Sequence, residues 1–216
     1  MLPRPQLLTF DVFGTILDWR RGVLEAVSRA GGVLPEGRFD ALVDAQGTLE
    51  QASPGRRYRE IVADSLVEIA GVPAAAAAEI GAAAGSWPLF ADSTAALARM
   101  LRIAPCGATT NSDRAHGEQV RRQLGFGLTY WWCAEEIGCY KPDPRVWEHA
   151  ARAARAPFGS AWWHVSAYAD YDLSVARRLG LSTVYVERPH RRPGPADLVV
   201  PDLAALADLV ERTHGS

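Results

Sequence analysis

The sequence predicts an α/β protein, a parallel sheet core with an all-helical insertion. Three observations lead to this class. Short β-prone apolar runs alternate with helical patterns, as in a parallel sheet covered on both faces. The alternation stops between residues 18 and 88, where only helical blocks occur. Polar and charged residues gather directly after four of the apolar runs, where open α/β sheets place their sites.

The first strand is expected over residues 7–13, apolar apart from Asp11. Four helical blocks follow, at 22–29, 39–51, 58–70 and 74–85, punctuated by Gly31-Gly32, Pro54-Gly55 and Gly71-Val72-Pro73. The alanine run opening the last block is a strong helix former. Strands are then expected at 104–110, 130–133, 162–165, 182–186 and 198–200. Helices are expected at 93–102, 114–124, 144–154, 173–179 and 202–212. The expected division is a core of residues 1–17 and 89–216 and a cap of residues 18–88.

Composition narrows the function. Of 216 residues, 48% are hydrophobic and 22% charged, enough for a buried core and unlike a disordered chain. A net charge of −2 and the lack of a Lys/Arg run argue against a nucleic-acid partner. Cys106, Cys133 and Cys139 lack metal-ligand spacing and fit a reducing compartment. The N-terminal apolar run is interrupted too early for a signal peptide, and no segment approaches the roughly 20 apolar residues that span a bilayer. The expectation is a cytoplasmic protein with a small-molecule substrate and no membrane or nucleic-acid partner.

Asp11 is followed by Val12-Phe13-Gly14-Thr15. A carboxylate in an apolar strand is costly unless it has partners or a role. Gly14 permits a tight turn, and Thr15 can hydrogen-bond Asp11 or a substrate. Thr110 and Asn111 end the second strand and offer a hydroxyl and an amide to an anionic group; ordinary turn chemistry, with Ser112 or Asp113 capping the next helix, is the plainer reading. Lys141-Pro142-Asp143-Pro144 holds a lysine on a stiff loop, and a lysine near Asp11 would keep that carboxylate ionised. Asp170 and Asp172 follow the fourth strand, Asp172 at the start of a helix. The Trp131-Trp132 and Trp162-Trp163 pairs read as core residues with alternate rings on opposite sheet faces. His164 reads as a strand histidine with a satisfied hydrogen bond. The basic loop Arg188-Pro189-His190-Arg191-Arg192-Pro193 reads as solvated.

These four segments, in this order, resemble the four motifs of the haloacid dehalogenase-like superfamily. Thr9-Phe10-Asp11-Val12-Phe13-Gly14-Thr15-Ile16-Leu17-Asp18, Lys141-Pro142-Asp143-Pro144-Arg145-Val146-Trp147 and Asp172…Ala176…Leu179-Gly180 look most like the L-2-haloacid dehalogenase branch. The resemblance spans nearly the whole chain and implies a Rossmann-like parallel sheet core with an inserted helical cap, matching residues 18–88. It implies covalent catalysis by Asp11 through an aspartyl ester, with Lys141, Thr15 and Asp172 assisting. Phe13, Thr110, Asn111 and Trp147 would bind substrate and leaving group. Neither metal nor cofactor is implied, and a homodimer is compatible with the branch.

Departures from the pattern bear on the substrate. Phosphatases of the superfamily carry D-x-D-G-T, where the second Asp protonates the leaving group; here that position is Phe13. The acid they use to bind magnesium in the fourth motif falls on Ala167. Both losses favour displacement of halide, which leaves without a proton, from a 2-haloacid-like substrate. A third departure runs the other way. The cap arginine that grips the substrate of haloacid dehalogenases falls on Ala45, with Arg20, Arg21, Arg56, Arg57 and Arg59 as the substitutes nearby. A magnesium-dependent phosphatase with an altered metal shell and a catalytically inactive member of the family stay open as alternatives.

Overall fold

The computed structural model describes residues 2–214. Its described residues form one six-stranded sheet, ordered β3-β2-β1-β4-β5-β6, in which every pairing is parallel. The strands are β1 (Leu7–Phe10), β2 (Cys106–Thr110), β3 (Tyr130–Cys133), β4 (Trp162–Ser166), β5 (Ser182–Val186) and β6 (Leu198–Val200). The first strand is shorter than the apolar run suggests. Its pairing continues one step further through Asp11 N–H to Val165 O at 2.9 Å, so Asp11 stands just past the strand end.

The chain builds outward from β1 to β2 and β3 on one side, then returns to place β4, β5 and β6 on the other. The order reverses at β1, and the carboxyl ends of β1, β2 and β4 flank the crevice there. Side chains alternate across the sheet. Leu8, Phe10, Trp163 and Val165 enter the larger core, while Leu7 and Trp162 join a second core on the opposite face with Val146, Trp147 and Ala150. The two adjacent tryptophans of β4 thus serve different layers, as the period of two requires.

Between β1 and β2 lie α1 (Trp19–Arg29), α2 (Phe39–Ala52), α3 (Tyr58–Ala70), α4 (Ala74–Ala82) and α5 (Ser93–Met100). The expected run to residue 85 instead ends as an α-helix at Ala82, and a short 3-10 turn covers Ala84–Ser86. After β2 come α6 (Arg114–Leu124), α7 (Ala134–Ile137), α8 (Arg145–Ala154), α9 (Ser174–Arg178) and α10 (Leu203–His214).

The inserted helices are tied to the loops at the strand ends. Tyr58 N–H and Arg59 N–H, at the start of α3, donate to the Asp113 carboxylate at 2.8 and 3.3 Å, and Arg59 Nε donates to it at 2.6 Å. Negative charge is favoured at a helix N-terminus. Asp113 is the N-cap of α6, in a capping box with His116, as expected of it, and its carboxylate also holds a helix 55 residues earlier. Tyr140 OH donates to Arg56 O at 2.6 Å, adding a second tie. These contacts bring α2 and α3 over the crevice.

Candidate active site

Lys141 is the centre of the cluster at the strand ends. Its Nζ lies 2.9 Å from Asp11 Oδ1 and 2.8 Å from Asp172 Oδ2, and all three side chains are buried. Thr15 Oγ1 donates to Asp11 Oδ2 at 2.8 Å, so both oxygens of Asp11 have donors. The backbone N–H of Ala167 donates to Thr15 Oγ1 at 3.0 Å, which aims the threonine proton at Asp11. The turn that allows this uses Gly14 at φ +94°, where a Cβ would meet Tyr168 OH at 2.5 Å.

The ammonium settles the charges. Burial raises Asp11 above the usual carboxylate range and neighbouring Asp172 adds to this, with Lys141 and Thr15 pulling it back. Burial would also raise Asp172, but Lys141 and His164 outweigh it and hold that carboxyl well below the usual range. Burial works against the charge on Lys141 as well, yet the two carboxylates keep its ammonium above the usual lysine value. Asp172 is therefore the carboxylate held ionised most firmly.

A cavity of about 340 Å³ opens above Asp11. Phe13, Thr110, Asn111 and Lys141 line it with Asp11, as expected for the first three strand-end motifs. The Phe13 ring packs edge-on against Tyr58, Trp87 and His116 and forms an apolar wall. Thr110 Oγ1 is buried without a hydrogen-bond partner. Asn111 is more committed than expected. Its amide nitrogen donates to Glu50 Oε2 at 2.8 Å and Lys141 O at 3.1 Å, while its oxygen accepts from Lys141 N–H at 2.7 Å. It thereby fixes the lysine loop.

Three expected site residues, Thr15, Asp172 and Trp147, are not at the cavity; the Thr15 hydroxyl is spent on Asp11. Asp172 is fully buried behind Lys141, and its second oxygen accepts from His164 Nε2 at 2.9 Å. Trp147, expected beside the leaving group, is corrected by the structure. The sheet-facing stripe of α8 carries Val146, Trp147 and Ala150 into the second core, where the indole packs edge-on against His164 at 5.6 Å. The turn that delivers Asp172 is a five-residue π-helix, Ala169–Leu173, a form frequent at functional sites.

The cavity also has lining residues not foreseen. Glu50 and Gln46 reach it from α2, and Arg192 reaches it from the loop between β5 and β6. A sequence signal for the first two existed: Leu42, Gln46 and Glu50 are four apart and share the buried stripe with Phe39. Arg192 had no such signal. The five cap arginines proposed as substitutes all pair elsewhere, Arg20 with Glu36, Arg21 with Glu25, Arg56 with Asp64, Arg57 with Glu135 and Arg59 with Asp113. None of them lines the cavity.

A parallel sheet with buried charged groups at its switch point and helices laid over that point defines a Rossmann-like α/β enzyme. The model of the haloacid dehalogenase-like hydrolase family matches residues 5–180, and the chain belongs to that family. No curated protein sequence matches the chain. Among solved structures it is similar to an L-2-haloacid dehalogenase at 26% identity and TM-score 0.79, covering 96% of this chain and 99% of that one. It shares its fold with the L-2-haloacid dehalogenase from Xanthobacter autotrophicus with chloropropionic acid covalently bound, at 15% identity and TM-score 0.76, covering 96% and 98%. It also shares its fold with a HAD-hydrolase from Bacillus subtilis bound to magnesium, at 14% identity and TM-score 0.76, covering 97% and 100%. Among the described residues, no helix is long and apolar enough to cross a membrane.

Proposed function

We propose that the protein hydrolyses a carbon–halogen bond through an ester on Asp11, without a metal. One observation carries this reading: the Lys141 ammonium, 2.9 Å from Asp11, occupies the place where charge on that carboxylate must be balanced. An Asp11 oxygen forms a bond to the carbon that bears the halide, and the halide leaves with its electron pair. Water then attacks the Asp11 carbonyl carbon, restores the carboxylate and releases the alcohol and a proton. Covalent catalysis divides one difficult displacement into two easier steps. Lys141 and Thr15 hold the charge that develops on the carboxyl oxygens in the second step. Asp172, with both oxygens engaged, positions Lys141. Residues 18–88 act as the cap that keeps bulk water from the first step.

The donor set does not fit magnesium. This hard cation wants several oxygen ligands in near-octahedral array. One oxygen each of Asp11 and Asp172 is already bridged by an ammonium. The two other positions that would supply acid to a phosphatase hold Phe13, an apolar wall, and Ala167, whose backbone serves Thr15. Among the described residues, no group of three or more His, Cys, Asp or Glu side chains is arranged to hold a metal ion. The chain's 26% identity to an L-2-haloacid dehalogenase supports the same reading.

The test is a single turnover in oxygen-18 water followed by mass spectrometry of the peptide containing Asp11. Label is expected in Asp11, and Asp11→Asn is expected to abolish halide release. Label confined to the product alcohol would overturn the ester.

A further inference from the structure

A substrate carboxylate entering this cavity would meet little positive charge. Two cations line it, Lys141 and Arg192. Lys141 already serves Asp11 and Asp172. Arg192 lies 2.6 Å from Asp44, 3.7 Å from Asp170 and 3.8 Å from Asp40. Each cation is outnumbered by the carboxylates it already pairs with. A further buried carboxylate would lack a counter-charge, and an unpaired buried charge is strongly disfavoured.

In the same wall stands a carboxyl group. Glu50 is 8% exposed, and Asn111 donates to its Oε2 at 2.8 Å. When Glu50 is protonated, that bond leaves Oε1 as the hydroxyl oxygen, a hydrogen-bond donor. Thr110 Oγ1, buried and unpartnered, is a second polar group with capacity to spare. The rest of the wall includes the aromatic residues Phe13, Trp19, Tyr58 and Tyr168.

Building on the halide-displacement reading, we infer that the substrate is an uncharged α-halo carbonyl compound, such as a 2-haloamide, and that Glu50 is a specificity-determining residue donating to its carbonyl oxygen. The α-carbonyl keeps the carbon activated toward displacement, and the amide supplies a neutral acceptor where a haloacid would bring a second anion. Burial pushes Glu50 up to about 8, with Asn111 and Lys141 lowering it and Asp11 raising it. Tyr58, Tyr140 and Tyr171, which also feel its charge, are themselves pushed up and stay neutral in this range.

The experiment measures halide release from 2-chloropropionamide and 2-chloropropionate, which share one carbon skeleton, across pH 6 to 9 (roughly one unit or more either side of the ionisation of Glu50). The amide is expected to have the higher kcat/KM by about tenfold or more, the size of one unpaired polar or charged contact. Its rate is expected to fall above about pH 8 in the wild-type protein. Glu50→Gln, which cannot ionise, should lose that alkaline fall, and Glu50→Leu, which cannot donate, should lower kcat/KM for the amide by about tenfold. A preference for the acid overturns this inference and leaves the ester mechanism standing. Amide turnover without label in Asp11 overturns the ester and leaves the substrate class standing. No halide from either compound overturns both.

Discussion

His164 donates through Nε2 to Asp172 Oδ1 across 2.9 Å, in a place neither side chain shares with solvent. An ionised carboxylate only accepts, so Nε2 carries the proton. Nδ1 lies 2.9 Å from Thr9 Oγ1, which accepts from Trp162 Nε1 at 2.8 Å. A chain of hydrogen bonds runs from the second core, through the sheet, to the carboxylate that steadies Lys141.

Replacing His164 by Leu leaves Asp172 Oδ1 buried without its donor, which is expected to cost about 1–3 kcal/mol. His164→Gln keeps a donor and is expected to recover part of the loss in both Tm and kcat. Thermal unfolding and turnover of the two variants check this; identical behaviour would reduce His164 to a space-filling residue.

Lys141→Met strips two buried carboxylates of their shared cation. The expected cost is about 3–5 kcal/mol, with turnover lowered by about 10²-fold or more. The stability gap depends on pH with a definite sign. Asp172 has a depressed folded value, so its contribution is present above the unfolded value of about 3.8 and is lost as pH falls through the folded one. The gap between wild type and variant should be full above about pH 4 and narrow in stronger acid. Denaturant titrations at neutral and acid pH measure it, and a gap that widens on acidification would contradict the assignment.

Glu50 has the opposite sign. The folded protein keeps its proton to about 8, against an ordinary value of 4.5. Between these values the folded state binds more protons than the unfolded state, so stability falls as pH rises, by at most about 1.4 kcal/mol per unit, and levels off beyond. Glu50→Gln should reduce the loss of Tm between pH 5 and pH 8 (about the limits of that window). An unchanged loss would show that Glu50 does not hold its proton.

Gly14→Ala meets two obstacles, a φ of +94° and contact with Tyr168 OH at 2.5 Å. The expected destabilisation is about 1–3 kcal/mol, together with reduced turnover because the same turn directs Thr15 to Asp11. Tm and kcat of the variant test both; a neutral substitution would show that the turn relaxes freely.

Halide release is expected to continue unchanged in EDTA, and p-nitrophenyl phosphate is expected to resist hydrolysis with magnesium present. Activity that EDTA removes and magnesium restores would reverse the metal-free reading.

Much of this protein could be read from local pattern. The apolar runs marked all six strands because a buried parallel strand needs continuous apolar residues, and the polar residues after four of them marked one end of the sheet. Asp11, Thr15, Thr110, Asn111 and Lys141 were legible for that reason, although the sequence alone could not bring Lys141 across 130 residues to Asp11. Glu50 was half legible, through its four-residue spacing from Gln46 and Leu42 on a buried helix face. Trp147 was misplaced because motif order locates a residue along the chain, whereas the rotation of α8 decides which side of the sheet it faces.

The amino-acid order by itself determined the strand and helix succession and the end of the sheet where chemistry gathers, because these follow from periodicity and turn residues near in sequence. Only the tertiary structure decided which charges meet: Lys141 between Asp11 and Asp172, Asn111 holding Glu50 across 61 residues, and Arg192 arriving from the far side of the sheet. Electrostatic and hydrogen-bond partnership depends on distance and burial in space, and neither is a property of spacing along a chain.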